Sequence, residues 1–409
     1  MSNLYSLDGR VPVGQAIPFG LQHVLAMFVS NVTPIIILAN VVGLDVQTSA
    51  ALVQNCMVIA GIGTLVQLYP LWRVGSRLPV VMGISFTFLS LSIAIATTQG
   101  MGALMGAVIV GGLVEGLLGL CAKYWLRLIS PVVAATVVTA IGVSLLPIGA
   151  NSFAGGQGAA DFGSVNNWIV GSLLVGYILA LCMGMVDFSG LHNVGVISLP
   201  KFMPFKPEFH LGTILSVIAI YLVSATETIG DTTALCSSAV GRDVKPQELQ
   251  GSVACDGFVS TVAGLFGCTP ITSFSQNVGL AAMSGVVNRF TIATGAVIMI
   301  LGGIFPAVGF VLTTIPQAVL GGCTIMMFGS ILFAGINMVA RCGNNQRNLV
   351  IVATSLSIGL GFTASSEMFH IFPELVRTVF ADNCVAVIFL LALVLNLVLP
   401  KEKEGESQK

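Results

Sequence analysis

Residues 268–285 read CTPITSFSQNVGLAAMSG, and the fold turns on how they are interpreted. Thr272, Ser273, Ser275, Gln276 and Asn277 put five polar side chains into six residues, between long apolar runs. Pro270 stands near the start, a β-prone piece with Ser273–Phe274 follows, and a small-residue helix closes the stretch. Such a segment makes a poor continuous helix. LPVVMGISFTFLSLS, at 78–92, repeats the order: Pro79, then Ser85–Phe86, then small residues. Each stretch precedes a Pro-led span, SPVVAATVVTAIG from Ser130 and IPQAVLGGCTIMM from Ile315. Pro79 to Pro131 is 52 residues and Pro270 to Pro316 is 46. Pro and Gly are common in membrane helices, so the matched order and spacing carry the point. They indicate two repeated halves, and paired broken segments point to a transporter's midplane site.

The rest of the chain fits a membrane protein. It is 55% hydrophobic and 8% charged, with a mean hydropathy of +0.97; soluble domains carry about 25% charged residues. A net charge of -1 argues against nucleic-acid binding. The apolar runs are about 20 residues long, enough to cross about 30 Å of hydrocarbon. They lack the period-two alternation of barrel strands. Nine scattered cysteines with no CxxC pair read as small hydrophobes, so no metal site, disulfide framework or cofactor is expected. The polar start MSNLYSLDGR shows no cleavable signal pattern.

Thirteen candidate spans follow: 17–40, 48–72, 79–96, 101–121, 130–149, 167–186, 211–234, 252–267, 269–285, 290–313, 316–336, 348–365 and 383–399. Two long loops, 149–167 and 189–210, interrupt them, and the tail KEKEGESQK at 401–409 reads as disordered. Basic residues collect on the cytoplasmic side. Arg73, Arg77, Lys123 and Arg127 follow spans two and four, which puts the N-terminus inside. In the second half Arg242, Lys245, Arg289, Arg341, Arg347 and Lys401 come out external if 167–186 is one crossing. An even number of crossings between 150 and 210 restores them, so the pattern indicates a span missing near 165–170.

Ionisable groups at a helix centre cost about 2.5–3.5 kcal/mol on insertion scales and are functional candidates by default. Glu227 and Asp231, in SATETIGDTTAL, are four residues apart on one helix face, with Thr226 and Thr232 close by. Two buried carboxylates so close repel, and sharing a proton relieves them, which suits a proton-coupled carrier. Asp256, in VACDGFVST, is a functional acid or a helix-end cap. His23 in the first span is as readily a packing residue as a site residue. Glu115 is left outside the site. Gln276 and Asn277 stand where an extended piece enters a half-helix, whose N-terminus offers free N–H groups. A Gln pairs a donor with an acceptor, which suits the amide-like edge of a heterocycle; the amides could also satisfy the broken backbone.

These motifs resemble the nucleobase–ascorbate transporter family, also called nucleobase:cation symporter-2. Its signature Q-N-x-G-x-x-x-x-T reads QNVGLAAMS from Gln276 to Ser284, with Ser for the final Thr. Its E-x-x-x-D reads ETIGD, and Asp256, His23, GISFTFLS and IPQAVLGGCTIMMFG also match. The resemblance covers nearly the whole chain. It implies an all-α polytopic membrane protein: fourteen spans as a 7+7 inverted repeat, with short β pieces in two broken spans, of which thirteen are visible here. It implies a core domain at 1–128 and 211–314, a gate domain at 129–210 and 315–400, and a homodimer in the cytoplasmic membrane, in contact with lipid. It further implies Glu227 and Gln276 as substrate contacts, with Phe86, Ser275, Asn277, Ser85 and His23 completing the site. Asp256, Asp231 and Glu227 would serve proton coupling. Uracil carriers of the family tend to carry Glu at the Gln276 position, so an oxidised purine, xanthine or uric acid, is expected; Ser85 leaves uric acid open. The rivals are a uracil or other nucleobase symporter and an anion carrier of a related inverted-repeat fold. A membrane enzyme lacks support, for no nucleophile–base pair or HExxH is present.

Overall fold

The computed structural model describes residues 2–125, 130–156, 159–172, 176–188, 195–343, 345–372, 376–377, 380–381 and 384–400. The tail 401–409 and Arg127 lie outside them. The described chain is helical apart from one small sheet. Its first half comprises α1 (Val13–Val42), α2 (Val46–Leu68), β1 (Met82–Ile84), α3 (Leu89–Thr98), α4 (Met101–Leu120), α5 (Ala122–Trp125), α6 (Pro131–Phe153), α7 (Val165–Ser172) and α8 (Gly176–Cys182). The second half comprises α9 (Leu211–Leu235), α10 (Pro246–Leu265), β2 (Ile271–Ser273), α11 (Ser275–Ser284), α12 (Arg289–Ile304), α13 (Pro306–Thr313), α14 (Gln317–Arg341), α15 (Gln346–Ala364) and α16 (Cys384–Val398).

Local chemistry sets the boundaries. Asp45 caps α2 by accepting from Thr48 N at 2.9 Å, and Asn345 caps α15 from Asn348 N at 2.7 Å. Pro131 and Pro246 open α6 and α10 at first-turn positions, where no N–H is missed. Gly43 closes α1 at φ 73°, a left-handed cap.

Among the described residues seven helices are long and apolar enough to cross a membrane. Two candidate spans differ from their sequence reading. The run 290–313 divides at Pro306 into α12 and α13, bent by 83°, because a proline cannot accept the continuing helix geometry. In the run 167–186 the described residues form two short helices, α7 and α8, of 8 and 7 residues, and residues 173–175 between them lie outside the described residues. At about 1.5 Å per residue neither spans the hydrocarbon.

The helices pack in two groups. In the first, α4 lies on α10, α12 lies on α2 and α1, and α9 contacts α4 and α10. In the second, α14 lies on α6 and α7, and α15 lies on α16 and α6. Glycines make the closest approach possible. A Cβ at Gly257 would stand 2.1 Å from Gly116 N, and one at Gly119 2.3 Å from Ala254 N. Residues 198–208 run across one end of the first group, with Met203 N bonded to Leu265 O and Glu208 N to Gly102 O.

The two broken stretches meet as an antiparallel pair: Met82 faces Ser273, Gly83 faces Thr272 and Ile84 faces Ile271. Backbone at membrane depth must be satisfied by protein, and helix side chains do this. Thr64 Oγ1 accepts from Met82 N at 3.0 Å, Asn31 Oδ1 from Ile84 N at 2.8 Å, and Ser260 Oγ from Ile271 N at 3.0 Å. Short helices then leave each strand, a 3-10 turn Phe86–Phe88 into α3 and α11 directly after Phe274.

Candidate functional site

Polar side chains concentrate where these strands meet α9 and α10. Glu227 on α9 is 8% exposed, and its Oε2 accepts from Thr87 Oγ1 at 2.7 Å. Thr87 follows Phe86 in the turn after β1, so this contact ties one broken stretch to α9. Asp231, one helical turn further, accepts from Ser273 Oγ at 2.8 Å and from Ser275 Oγ at 2.8 Å. That ties the other broken stretch to the same helix. The expected i,i+4 pair therefore holds both half-helix starts.

Asp256 sits behind the strands and is fully buried. It accepts from Thr228 Oγ1, from Thr272 Oγ1 at 3.1 Å, from Ser273 N at 3.4 Å and from Gln67 Nε2 at 3.2 Å. It stands ten residues into α10, so the helix-end cap reading does not hold. Among the described residues none of Glu227, Asp231 or Asp256 makes an ion pair; hydroxyls and amides hold them instead.

Gln276, half-buried at the start of α11, lines an open cavity of about 220 Å³ with Ser30 of α1 and Thr324 and Met327 of α14. Phe86 packs edge-on against Phe328 of α14, with ring centroids 5.1 Å apart. The turn that carries Thr87 and the helix that carries Gln276 thus meet the same stretch of α14. Ser85 is buried, and its hydroxyl has no partner among the described residues.

Asn277 and His23 fall elsewhere. Asn277 Nδ2 donates to His23 O at 3.0 Å and stands 3.3 Å from His23 Nδ1. Both side chains are buried between α11 and α1, and neither lines the cavity of Gln276. Neighbouring residues on α11 point to different sides, so the cavity receives Gln276 and α1 receives Asn277.

A larger cavity, about 510 Å³, opens between α9 and the second group. Ile229, Gly230 and Thr233 of α9 line it with Arg341, Arg347 and Ser130. Neither Glu227 nor Gln276 does.

Sequence reading missed several members of this arrangement. Thr226, expected beside the acids, only bonds back to Leu222 O; Thr228 reaches Asp256 instead. Thr87, Thr272 and Phe328 lie inside quoted motifs, where their position next to Phe86, Ser273 and the gate stretch was the available signal. Gln67 carried none.

Comparison with known proteins agrees with this architecture. A family model described as a permease family matches residues 14–173 and 169–368. Xanthine permease XanQ of Escherichia coli (strain K12) is 34% identical over 438 residues, covering 97% of this chain and 94% of that protein. Putative purine permease CPE0397 of Clostridium perfringens is 31% identical over 99% of this chain and 95% of its own length. Uric acid permease PucK of Bacillus subtilis is 32% identical over 87% of this chain and 89% of its own. Among solved structures, the transmembrane domain of the cyanobacterial bicarbonate transporter BicA superposes with a TM-score of 0.60 at 14% identity, over 94% of this chain and 98% of that one. SLC26A9 superposes with 0.58 at 12% identity, over 94% and 66%. At such identities these two speak for the inverted-repeat fold alone. The chain belongs to this permease family, the nucleobase–ascorbate transporters: it is a multi-pass integral membrane permease and not an enzyme.

Proposed function

We propose that the protein is a symporter that imports an oxidised purine, xanthine or uric acid, together with a proton. The observation that carries this reading is the meeting of α9 with both broken stretches: Glu227 bonds the turn after β1, and Asp231 bonds the start of the half-helix that presents Gln276. A carboxylate accepts from ring N–H groups and a carboxamide both donates and accepts, a pairing that fits the edge of a flat heterocycle. The names of XanQ and PucK point to the same substrates. Phe86 offers a ring face and Ser275 and Ser85 offer polar groups beside it; Asn277 and His23 brace α11 from behind.

In this mechanism Glu227 and Gln276 grip the purine. Glu227, Asp231 and Asp256 share the proton, which reduces repulsion among three acids and allows the loaded core to move against the gate. The core is 1–128 with 211–314, and the gate is 129–210 with 315–400. Substrate and proton are coupled only in so far as loaded and half-loaded states differ in free energy for that movement. The protein works as a homodimer in the cytoplasmic membrane with its N-terminus inside. The same reading places a lost span near residues 165–170, close to the overlap at 169–173 of the two family-matched ranges. There the family match divides, and the XanQ alignment runs to 438 positions against a chain of 409 residues. An anion carrier would be expected to place a cation near the half-helix ends, where this chain has Glu227 and Asp231.

The test is uptake of radiolabelled xanthine and urate into proteoliposomes, with and without an inward proton gradient, and with sulfate and uracil as competitors. The reading predicts gradient-driven uptake that unlabelled purine blocks and sulfate does not. Uptake blocked by sulfate, or indifferent to the gradient, would overturn it.

A further inference from the structure

The core holds a fourth buried acid. Glu115 on α4 is 1% exposed, and among the described residues neither of its carboxyl oxygens has a hydrogen-bond partner of ordinary geometry, the Ser224 hydroxyl standing close by. Glu227, Asp231 and Asp256 each accept at least one hydroxyl bond. Among the described residues no cation pairs with any of the four.

The surroundings of Glu115 are close-packed. Gly111 lies against the Tyr221 ring of α9, Gly112 against Gly257 O and Thr261 of α10, and Gly116 against Phe258. Gly257, in backbone contact with Gly116, is the residue after Asp256. The two acids therefore stand at the same level on facing helices. Ser224, Tyr221 and Glu227 of α9 and Asp256 of α10 lie close enough to Glu115 to interact with it electrostatically. The segment of α3 has no titratable residue, and Tyr124 of α5 is exposed.

A stripe of hydroxyls runs along α9 beside these groups. Tyr221, Ser224, Thr228 and Thr232 recur at helical spacing along α9, and all are buried. Thr228 bonds Asp256, and Thr232 Oγ1 bonds Ser252 Oγ of α10 at 2.9 Å. A charged carboxylate with no donor at this depth is expensive. The neutral acid is not, and its O–H can turn to the Ser224 hydroxyl.

We propose that Glu115 is a proton-binding site of this protein, exchanging one proton with Asp256 and Glu227 across the seam of α4, α9 and α10. The proton leaves the carboxyl oxygen of one acid and joins that of the other by way of the Ser224 hydroxyl; no other bond changes. The proposal rests on the proton-coupled reading given above.

The test uses the full chain in proteoliposomes. Glu115→Gln keeps the shape and fixes the neutral state. Exchange of labelled for unlabelled xanthine, which needs no net proton movement, should persist. A gradient of one pH unit supports about tenfold accumulation when one proton is coupled; in the variant it should support none. Infrared spectroscopy gives a second readout: the carbonyl band of a protonated carboxylic acid should disappear in Glu115→Gln and move in Ser224→Ala. Full accumulation by Glu115→Gln, or a carbonyl band that neither variant alters, would overturn the proposal. A wild-type protein that carries no purine would sink the functional reading instead, and the infrared comparison would still decide Glu115.

Discussion

Replacing Gly257 by Ala tests whether the seam of α4 and α10 holds the acids in place. The added Cβ would stand 2.1 Å from Gly116 N, 2.6 Å from Gly112 O and 2.6 Å from Gly116 Cα. All three are backbone atoms, so no side chain can swing aside. Ordinary contact begins near 3.4 Å, which means that α4 and α10 must part by about 1.3 Å in a close-packed interior. Overpacking of this kind costs about 1–3 kcal/mol. Because Asp256 is the preceding residue, the shift also stretches its bonds to Thr228 and Thr272. The melting midpoint of the full chain in detergent should fall by about 1–4 °C, and xanthine uptake should fall with it. Gly361→Ala on α15, where no described residue lies within 4 Å, serves as the control and should change neither. A Gly257→Ala protein that melts and transports like wild type would refute the reasoning, for the helices could not then be in backbone contact beside Asp256.

Three further outcomes are expected. Gln276→Glu replaces a donor–acceptor edge with acceptors only and should shift preference from xanthine toward uracil; an unchanged competition profile counts against a substrate contact there. Thr228→Val removes the hydroxyl that serves Asp256 while keeping the shape. It should cost about 1–3 kcal/mol, with Thr228→Ser recovering most of it in thermal unfolding, and equal stability of all three proteins would contradict the network. At the start of α10, burial pushes the Glu248 carboxyl up, but the Arg242 guanidinium and the Lys245 N–H outweigh it and hold it below the usual carboxylate range. A lowered folded-state value contributes stability at neutral pH that is lost as pH falls through the carboxylate range. Wild type should therefore lose its advantage over Glu248→Gln on acidification, and melting curves that stay parallel with pH would disprove the link.

The sequence showed most of what depends on period and punctuation. Pro79 and Pro270 with their β-prone followers marked the two broken stretches, and the spacing of Glu227 and Asp231 put both acids on one face of α9. What it concealed depends on which elements become neighbours. Asn31, Thr64 and Ser260 look like minor polar residues in apolar helices, yet they satisfy the strand amides at membrane depth. Gln67 is 189 residues from Asp256 and bonds it. Asn277 follows Gln276 directly, and only the rotation of α11 sends one to α1 and the other to the cavity. The run 167–186 is less legible, because apolar composition alone does not say how many helices the chain makes of it; its described residues form the short helices α7 and α8.

The central claim is that Glu227 is the carboxylate that grips the substrate. Glu227→Gln keeps the size and the bond to Thr87 while removing the charge, so it isolates that role. Proton-driven xanthine uptake by purified Glu227→Gln protein with a wild-type melting midpoint is the most direct measurement. The account predicts that uptake is abolished; uptake at the wild-type rate would contradict it.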